Sequence, residues 1–288
     1  MTAVELAGVV EGLPDHEYHA HEALSNSGAK LLLPPSCPAI YRWQKDNGQP
    51  AKRVFDVGSA AHAQVLGVGA DVVIVQKKDA RTGALSDADD YKTKSAQEHA
   101  EAIRAEGNIP LLAKDKATVD GMAAALRSHP RAAELLEPGS GRAEVSLFWR
   151  DWVTGVERRA RPDWLIEHGD GRATVVDYKT TASPDPASVR KAIANLGYYM
   201  QHAFYEDGVH ALGLAEDVDF LFVFQGKEPP YLPLVARVDS AGVAVGRARV
   251  DEALAIFARC QASGEWPGYS DEVLTVSLPP WVTGDGGW

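Results

Sequence analysis

Cysteine is nearly absent: the 288 residues hold two, Cys37 and Cys260. Two thiols far apart in sequence cannot form a disulfide framework, argue against a zinc site built on cysteine, and exclude an iron–sulfur cluster held by four thiolates. No run of 18 apolar residues occurs, so no membrane-spanning helix is expected. The opening Met1-Thr2-Ala3-Val4-Glu5 lacks a basic stretch followed by an apolar block, so no secretory signal is expected and the chain reads as cytoplasmic. Cations are also short, with 29 Lys and Arg against 40 Asp and Glu, a net charge of -11. Such a balance does not announce a nucleic-acid binder. It still leaves room for a local basic lining, and carboxylates are what a divalent-cation site requires. No internal repeat and no low-complexity linker is present.

What the chain does have is an ordinary apolar fraction, 45%, and 24% charged residues, enough to bury a core. Ser25 or Asn26 can cap a short helix that Pro34-Pro35 stops, and a second helix is expected near Pro38. Within 53–67, small residues predict a helix from about Ser59 to Gly67 that carries His62. Residues 71–77 read as a buried strand, and 86–137 as mostly helical with an interruption at 108–110. The pattern then changes to strands at 143–149, 156–160, 164–167 and 173–179. A helix over 188–207 with Gly197 inside it follows, then strands at 218–225 and 231–239 and a helix over 240–262. The tail carries Trp266, Pro267, Pro279 and Pro280 and reads as irregular.

The fold class expected is α/β of the α+β type, a central mixed sheet with an antiparallel hairpin, flanked by helices. It divides into an N-terminal helical region at 1–139 packed on the core, a core at 140–262, and a tail at 263–288, all one globular unit.

Arg161-Pro162-Asp163-Trp164 and Val176-Asp177-Tyr178-Lys179-Thr180 carry the chemistry. The turn at Gly169-Asp170-Gly171 lies near the midpoint between 163 and 177, so a hairpin closing there sets the two aspartates nearly opposite each other. Residues two apart on a strand share a face, which brings Lys179 beside Asp177. Two acids this close need compensation, and an oxygen-seeking divalent cation such as Mg²⁺ supplies it, with the Tyr178 carbonyl as a further oxygen ligand. Lys179 is then placed to orient or deprotonate a water or to steady phosphate charge, which is what phosphodiester hydrolysis requires.

These residues resemble the PD-(D/E)xK nuclease motif, here "RPD" and "DYK". Gly58-Ser-Ala-Ala-His62 looks like the glycine–histidine helix of the RecB-like branch. That resemblance implies His62 as an additional metal ligand. Gln201 and Tyr205, at i and i+4 on one helix face, match that branch's QxxxY. Leu24-Ser-Asn-Ser-Gly-Ala-Lys30, Phe148-Trp149 with Thr154-Gly155, and Lys227-Glu-Pro-Pro-Tyr231 are similar to the exonuclease VIII (RecE-type) family of phages and prophages, over nearly the whole chain to about residue 262. The resemblance implies a restriction-endonuclease-like core and Mg²⁺-dependent 5′–3′ degradation of one strand from double-stranded DNA ends, with Mn²⁺ able to substitute. It further implies a single-strand annealing recombinase that takes the 3′ strand, and a trimeric or tetrameric ring. The second acid is Asp177 rather than Glu, which the motif permits.

Each assignment has a plainer reading. Asp163, Asp177 and Lys179 could form a cross-strand ion pair on a surface hairpin, although the apolar Thr174-Val175-Val176 run argues for a buried strand. His62 could be a hydrogen-bonded helix residue, and Gln201 and Tyr205 one face of an amphipathic helix. Glu144 is either an extra acid or a solvated strand residue. Strand alternation sends Arg159 and Arg161 to one face, where they could meet DNA phosphates, and Arg158 to the other. His19, His21 and His202 are expected on the surface or in packing, Tyr198 and Tyr199 in packing, and Trp149, Trp152 and Trp164 in the core.

Overall fold

In the computed structural model, which describes residues 8–48, 56–67 and 69–278, the chain opens with strand β1 (Gly8–Val10) and helix α1 (Asp15–Ala20). The readings that touched 1–5, 53–55 and 279–288 lie outside the described residues. β2 (Leu24–Ser25) runs into α2 (Asn26–Leu31), where the Ser25 hydroxyl accepts the Gly28 N–H at 3.1 Å as the expected cap. Helices α3 (Pro38–Asn47) and α4 (Asp56–Leu66) follow. The strand expected at 71–77 is two, β3 (Val72–Ile74) and β4 (Gln76–Lys78). Val75 separates them, because its N–H donates to Leu111 and its carbonyl accepts from Ala88, each at 2.8 Å. Next come β5 (Leu85–Asp87), α5 (Lys94–Ala105), β6 (Ile109–Leu111), α6 (Ala113–Ser128) and α7 (Pro130–Leu135). The interruption expected at 108–110 is β6, paired parallel to β3.

β7 (Arg142–Ala143) and β8 (Ser146–Arg150) replace one expected strand, broken at Glu144, whose φ of 47° lies in the left-handed region. β9 (Glu157–Ala160), β10 (Trp164–Glu167) and β11 (Arg172–Thr181) stand where expected. The single helix expected over 188–207 is two, α8 (Pro186–Asn195) and α9 (Tyr198–Ala211). Gly197 between them has φ 65°, so it is the corner itself rather than a tolerated helix residue. β12 (Asp217–Gly226), β13 (Pro233–Ala236) and α10 (Ser240–Ser263) complete the chain, and the described tail beyond is irregular.

The class is mixed α+β. A five-stranded sheet runs β13-β12-β11-β10-β7, parallel only between β11 and β12. A four-stranded sheet runs β1-β8-β9-β2, so the N-terminal region contributes strands as well as helices. Side-chain parity divides the core. Ala173, Val175, Phe220, Phe222 and Phe224 pack toward α9, α10 and α2. Val176, Tyr178, Leu221 and Val223 pack toward α4, α6 and α7. The central strands are therefore apolar on both faces. Asp177 and Lys179 share the parity of Val175 and point to the α9 side, while α4 approaches from the other layer.

Trp149 and Trp164 are buried as expected, but Trp152 is 92% exposed. It sits in the turn between β8 and β9, where Asp151 accepts from the N–H and hydroxyl of Thr154, leaving the indole outside. In the tail, Trp266 stacks on Tyr41 with ring centroids 5.4 Å apart.

Two outcomes test this packing. An added Cβ at Gly246 would lie 2.2 Å from the Tyr199 carbonyl oxygen, so α9 and α10 meet backbone to backbone. Gly246→Ala is expected to destabilise by about 1–3 kcal/mol in chemical denaturation; a wild-type midpoint would refute that close approach. His202 is buried and stacked on Phe220 at 4.9 Å. Burial, then Arg247 and Arg237, lowers its pKa from 6.5 to about 4. Its native state is therefore neutral. The associated stability is complete above the unfolded value and is lost as pH falls toward about 4, by roughly 3 kcal/mol. His202→Phe should flatten the acid limb of melting temperature against pH, and an unchanged limb would count against this source.

Candidate active site

The β10–β11 hairpin pairs Trp164 with Val176 and Glu167 with Ala173, so Asp163 stands opposite Asp177 as the turn position requires. An oxygen of Asp163 accepts the Tyr178 N–H at 2.7 Å, which pins one carboxylate across the end of the hairpin. Asp177 is 1% exposed. Its Oδ1 lies 2.5 Å from Lys179 Nζ, and its Oδ2 accepts the Gln201 amide at 2.5 Å. This is not an ion pair on a surface hairpin: Asp177 is buried, where an unpaired charge is costly, and Asp163 and Lys179 are only partly exposed.

His62 reaches this cluster from α4. Its Nε2 is 3.0 Å from Asp163 Oδ1 and its Nδ1 3.3 Å from Glu144 Oε1. Glu144, left open by the sequence, belongs here: its N–H donates to the Asp163 carbonyl, and its left-handed backbone turns the carboxylate toward His62.

Electrostatics follow from the crowding. Burial, then the charge of Asp163, pushes Asp177 up to about 6 even with Lys179 beside it. Burial also opposes a charge on His62, but Asp163, then Glu144 and Asp177, outweigh it and raise the imidazole to about 8. Asp163 is held low, its burial overcome chiefly by His62. Lys179 is raised, burial being outweighed by Asp177 and Asp163. Burial raises the Tyr205 phenol well above its ordinary value, so it stays neutral beside Gln201.

Tyr178 turns its side chain away from the acids, its hydroxyl donating to Gln225 Oε1 at 2.5 Å. Gln225 is fully buried and donates to the Met122 and Tyr231 carbonyls, tying α6 to β11. That network had no sequence signal. Tyr198 did: it was expected only to pack, yet its ring centroid is 5.3 Å from Lys179 Nζ and it borders the cleft as well as the core. Its spacing to Gln201 and Tyr205, i, i+3 and i+7, already places the three on one helical face.

The arginines need correction. They alternate as expected, but neither Arg159 nor Arg161 is presented to a phosphate as a free group. Arg159 donates to the carbonyls of His19, His21 and Ala23. Arg161 donates to Ser146, Leu13 and Asp15 and lies 4.1 Å over the Tyr18 ring. β9 lies beside β2, so side chains on that face meet the 13–23 segment first. Arg158 goes to the other face, between Trp149 and Phe204, and pairs with Asp207 at 2.9 Å.

The cluster opens on a cleft of about 1600 Å³ bordered by α2, α3, α4 and α9. Among the described residues no three His, Cys, Asp or Glu side chains are turned on one point as a ready-made metal cage. The donor types nevertheless suit a hard divalent cation: His62 contacts the carboxylates of Asp163 and Glu144, and Asp177 stands opposite Asp163 across the hairpin, its pKa raised first by burial and then by the charge of Asp163. His62 supplies a test of this electrostatic frame. In metal-free protein its imidazole should titrate near 8 by NMR, and Asp163→Asn should lower that value, since the lost carboxylate was raising it; no downward shift would contradict the pairing.

A solved structure from Eubacterium rectale, described as that of a proposed exonuclease, superimposes with a TM-score of 0.61 at 16% identity, covering 98% of this chain and 99% of that one. At that identity the likeness shows the fold alone. The structure of SSO0001 aligns at TM-score 0.27 and 14% identity, over 73% of this chain and 87% of that one, too low to carry an argument. No curated protein matches the chain. A family model does, that of a PDDEXK-like domain of unknown function, over residues 25–278, which takes in the hairpin, the His62 helix and the Gln201 helix. With nearly its whole length matched, this chain belongs to the PDDEXK-like family, within the PD-(D/E)xK nuclease superfamily.

Proposed function

We propose that this protein is a Mg²⁺-dependent 5′–3′ exonuclease acting on the ends of linear double-stranded DNA, leaving 3′ single strands. One observation carries the reading: two opposed aspartates, one of them buried, and a half-buried lysine meet at the end of one hairpin, with an imidazole set between carboxylates at 3.0 and 3.3 Å. Asp163 and Asp177 would hold the cation, His62 and the Tyr178 carbonyl would complete its protein donors, and Glu144 would add a further acid. Bound there, the cation would activate water and offset charge on the phosphate.

The chain's own groups divide the remaining tasks. Lys179 is protonated in its pair with Asp177, which suits it to donate to a phosphate or water oxygen rather than to take a proton. Gln201 holds the second oxygen of Asp177 and so fixes that carboxylate. Tyr205, neutral and one turn further along α9, is suited to donate to a substrate oxygen. DNA as substrate is supported by the lysines that border the cleft, Lys30, Lys45 and Lys179, in a protein of net charge -11, while Arg159 and Arg161 there are taken up by protein partners. Polarity, handover to a single-strand annealing recombinase, assembly into a trimeric or tetrameric ring and a cytoplasmic site of action belong to the same reading, through the likeness to exonuclease VIII. Among the described residues no helix is long and apolar enough to cross a membrane.

The test uses linear duplex labelled at the 5′ or the 3′ end and a covalently closed circle, with Mg²⁺, Mn²⁺ or EDTA. Release of 5′ label, loss of activity in EDTA and an intact circle are expected. Cutting of the circle would make the enzyme an endonuclease, and binding without cleavage by folded protein in any metal would make it a DNA-binding module. Asp177→Ala and Lys179→Ala should each lower kcat at least about 100-fold with an unchanged circular dichroism spectrum; either variant cutting at the wild-type rate would overturn the assignment.

A further inference from the structure

Lys30, on α2, is a cation of the cleft that the chemistry above does not use. Its ammonium donates to the Leu196 carbonyl at 2.9 Å and lies 6.0 Å from the centroid of the Tyr198 ring. Lys179 lies 5.3 Å from the same centroid, so two ammonium groups are arranged around one ring. The corner at Gly197 makes this possible. A Cβ there would sit 3.0 Å from Lys30 Cδ, and the left-handed turn presents the Leu196 carbonyl to the amine.

Other cations of the cleft are already partnered: Lys179 with Asp177, Arg161 with Asp15, Lys45 with Glu22 and Arg159 with backbone carbonyls. Among the described residues no carboxylate lies within ion-pair distance of Lys30. Burial, then the charge of Lys179, pulls its amine below the ordinary lysine value. One of its three N–H groups is taken by Leu196, and the group borders the cleft together with Tyr198 and Lys179. Asp177 opposes the lowering of the Lys30 amine from beyond ion-pair distance but does not reverse it. An ammonium with no carboxylate in contact, beside a second ammonium, is a place where an anion is favourable.

We propose that Lys30 contacts the backbone phosphate adjacent to the one that is cut, with Tyr198 separating the two positions, so that the site grips two successive phosphates of one strand. This rests on the nuclease reading. The rival role is structural: an ammonium on the carbonyl of Leu196, the residue that caps the C-terminus of α8, is an ordinary helix-end contact. The two roles differ in what they move. A phosphate contact releases a counterion on binding and steepens the salt dependence of affinity, whereas a cap changes only stability.

The experiment measures binding of a fluorescein-labelled duplex by full-length protein in EDTA across a range of NaCl, alongside steady-state cleavage in Mg²⁺, for wild type, Lys30→Met and Lys30→Arg. Methionine keeps the stem against Gly197 and removes the charge. Lys30→Met should weaken binding, reduce the slope of log affinity against log salt by about one, and raise KM with kcat little changed; Lys30→Arg should restore both slope and KM. A Lys30→Met protein that melts earlier but keeps the wild-type slope and KM would leave Lys30 a cap and overturn the proposal. If wild type binds DNA but does not cut it, the nuclease reading fails, while the salt slope in EDTA still decides the contact. If it binds no DNA at all, both fall.

Discussion

Two carboxylates facing each other at the open end of one hairpin, one buried and one largely covered, cannot both remain charged unless positive charge is brought to them, and much of the architecture meets that requirement. Asp177 is 1% exposed and stands opposite Asp163. Left alone the pair would be repelled and desolvated together, and one member would take up a proton. Burial, then the charge of Asp163, still leaves Asp177 raised, to about 6. The chain answers with Lys179 on the same strand and His62 from a helix across the sheet. Both are raised above their ordinary values by the acids they serve. PDDEXK nucleases generally use divalent metals, and a divalent cation would supply further compensation of the same sign.

That requirement explains why the surrounding elements are tied so firmly. α9 must present Gln201 to the second oxygen of Asp177, and it is held on one side by the backbone-close crossing with α10 and on the other by Arg158 gripping Asp207 between two aromatic rings. α4 must present His62, and it rests on α6, which Gln225 fastens to Tyr178, the residue between the second acid and the lysine. A buried polar side chain whose donors and acceptor are all satisfied fixes an orientation that apolar packing leaves free. The site is thus framed by polar anchors placed outside it. Arg159 and Arg161 belong to the same class, since they bind the 13–23 segment into the wall of the cleft.

How much of this the sequence discloses depends on whether the cause is local. The position of the Gly169–Gly171 turn sets hairpin register, and register sets Asp163 opposite Asp177; strand parity sets Lys179 beside Asp177; helical spacing sets Gln201 with Tyr205. All of these are short-range geometry and were legible. Glu144 was not, because its direction comes from a left-handed backbone that follows from the bond between its N–H and the Asp163 carbonyl. Gly197 within a helical pattern suggests an interruption a helix can absorb, but the path of Lys30 beneath it and the Leu196 carbonyl make it a corner. Arg159 and Arg161 looked available because sequence shows alternation but not what lies beyond the strand edge. Trp152 looked like core because indole area favours burial, yet its place is set by Asp151 closing a tight turn. In each miss a tertiary partner decided between local states of similar energy.

The charge distribution narrows how such a site can meet DNA. With a net charge of -11 the protein repels a polyanion at distance, and screening confines that repulsion to about 8–10 Å at physiological salt. The net charge therefore gives DNA no help at long range, and engagement of DNA would rest on the short-range cations of the cleft. Most of those are already occupied by protein carboxylates or carbonyls, so a strand gains from them only where it displaces or shares a partner. Groups with unspent positive potential then count for more than their number suggests. In this cleft the cation without a carboxylate in ion-pair distance, Lys30, stands beside the ring of Tyr198, across from the Lys179–Asp177 pair, so a phosphate taken up there would lie next to the hairpin that would act on it.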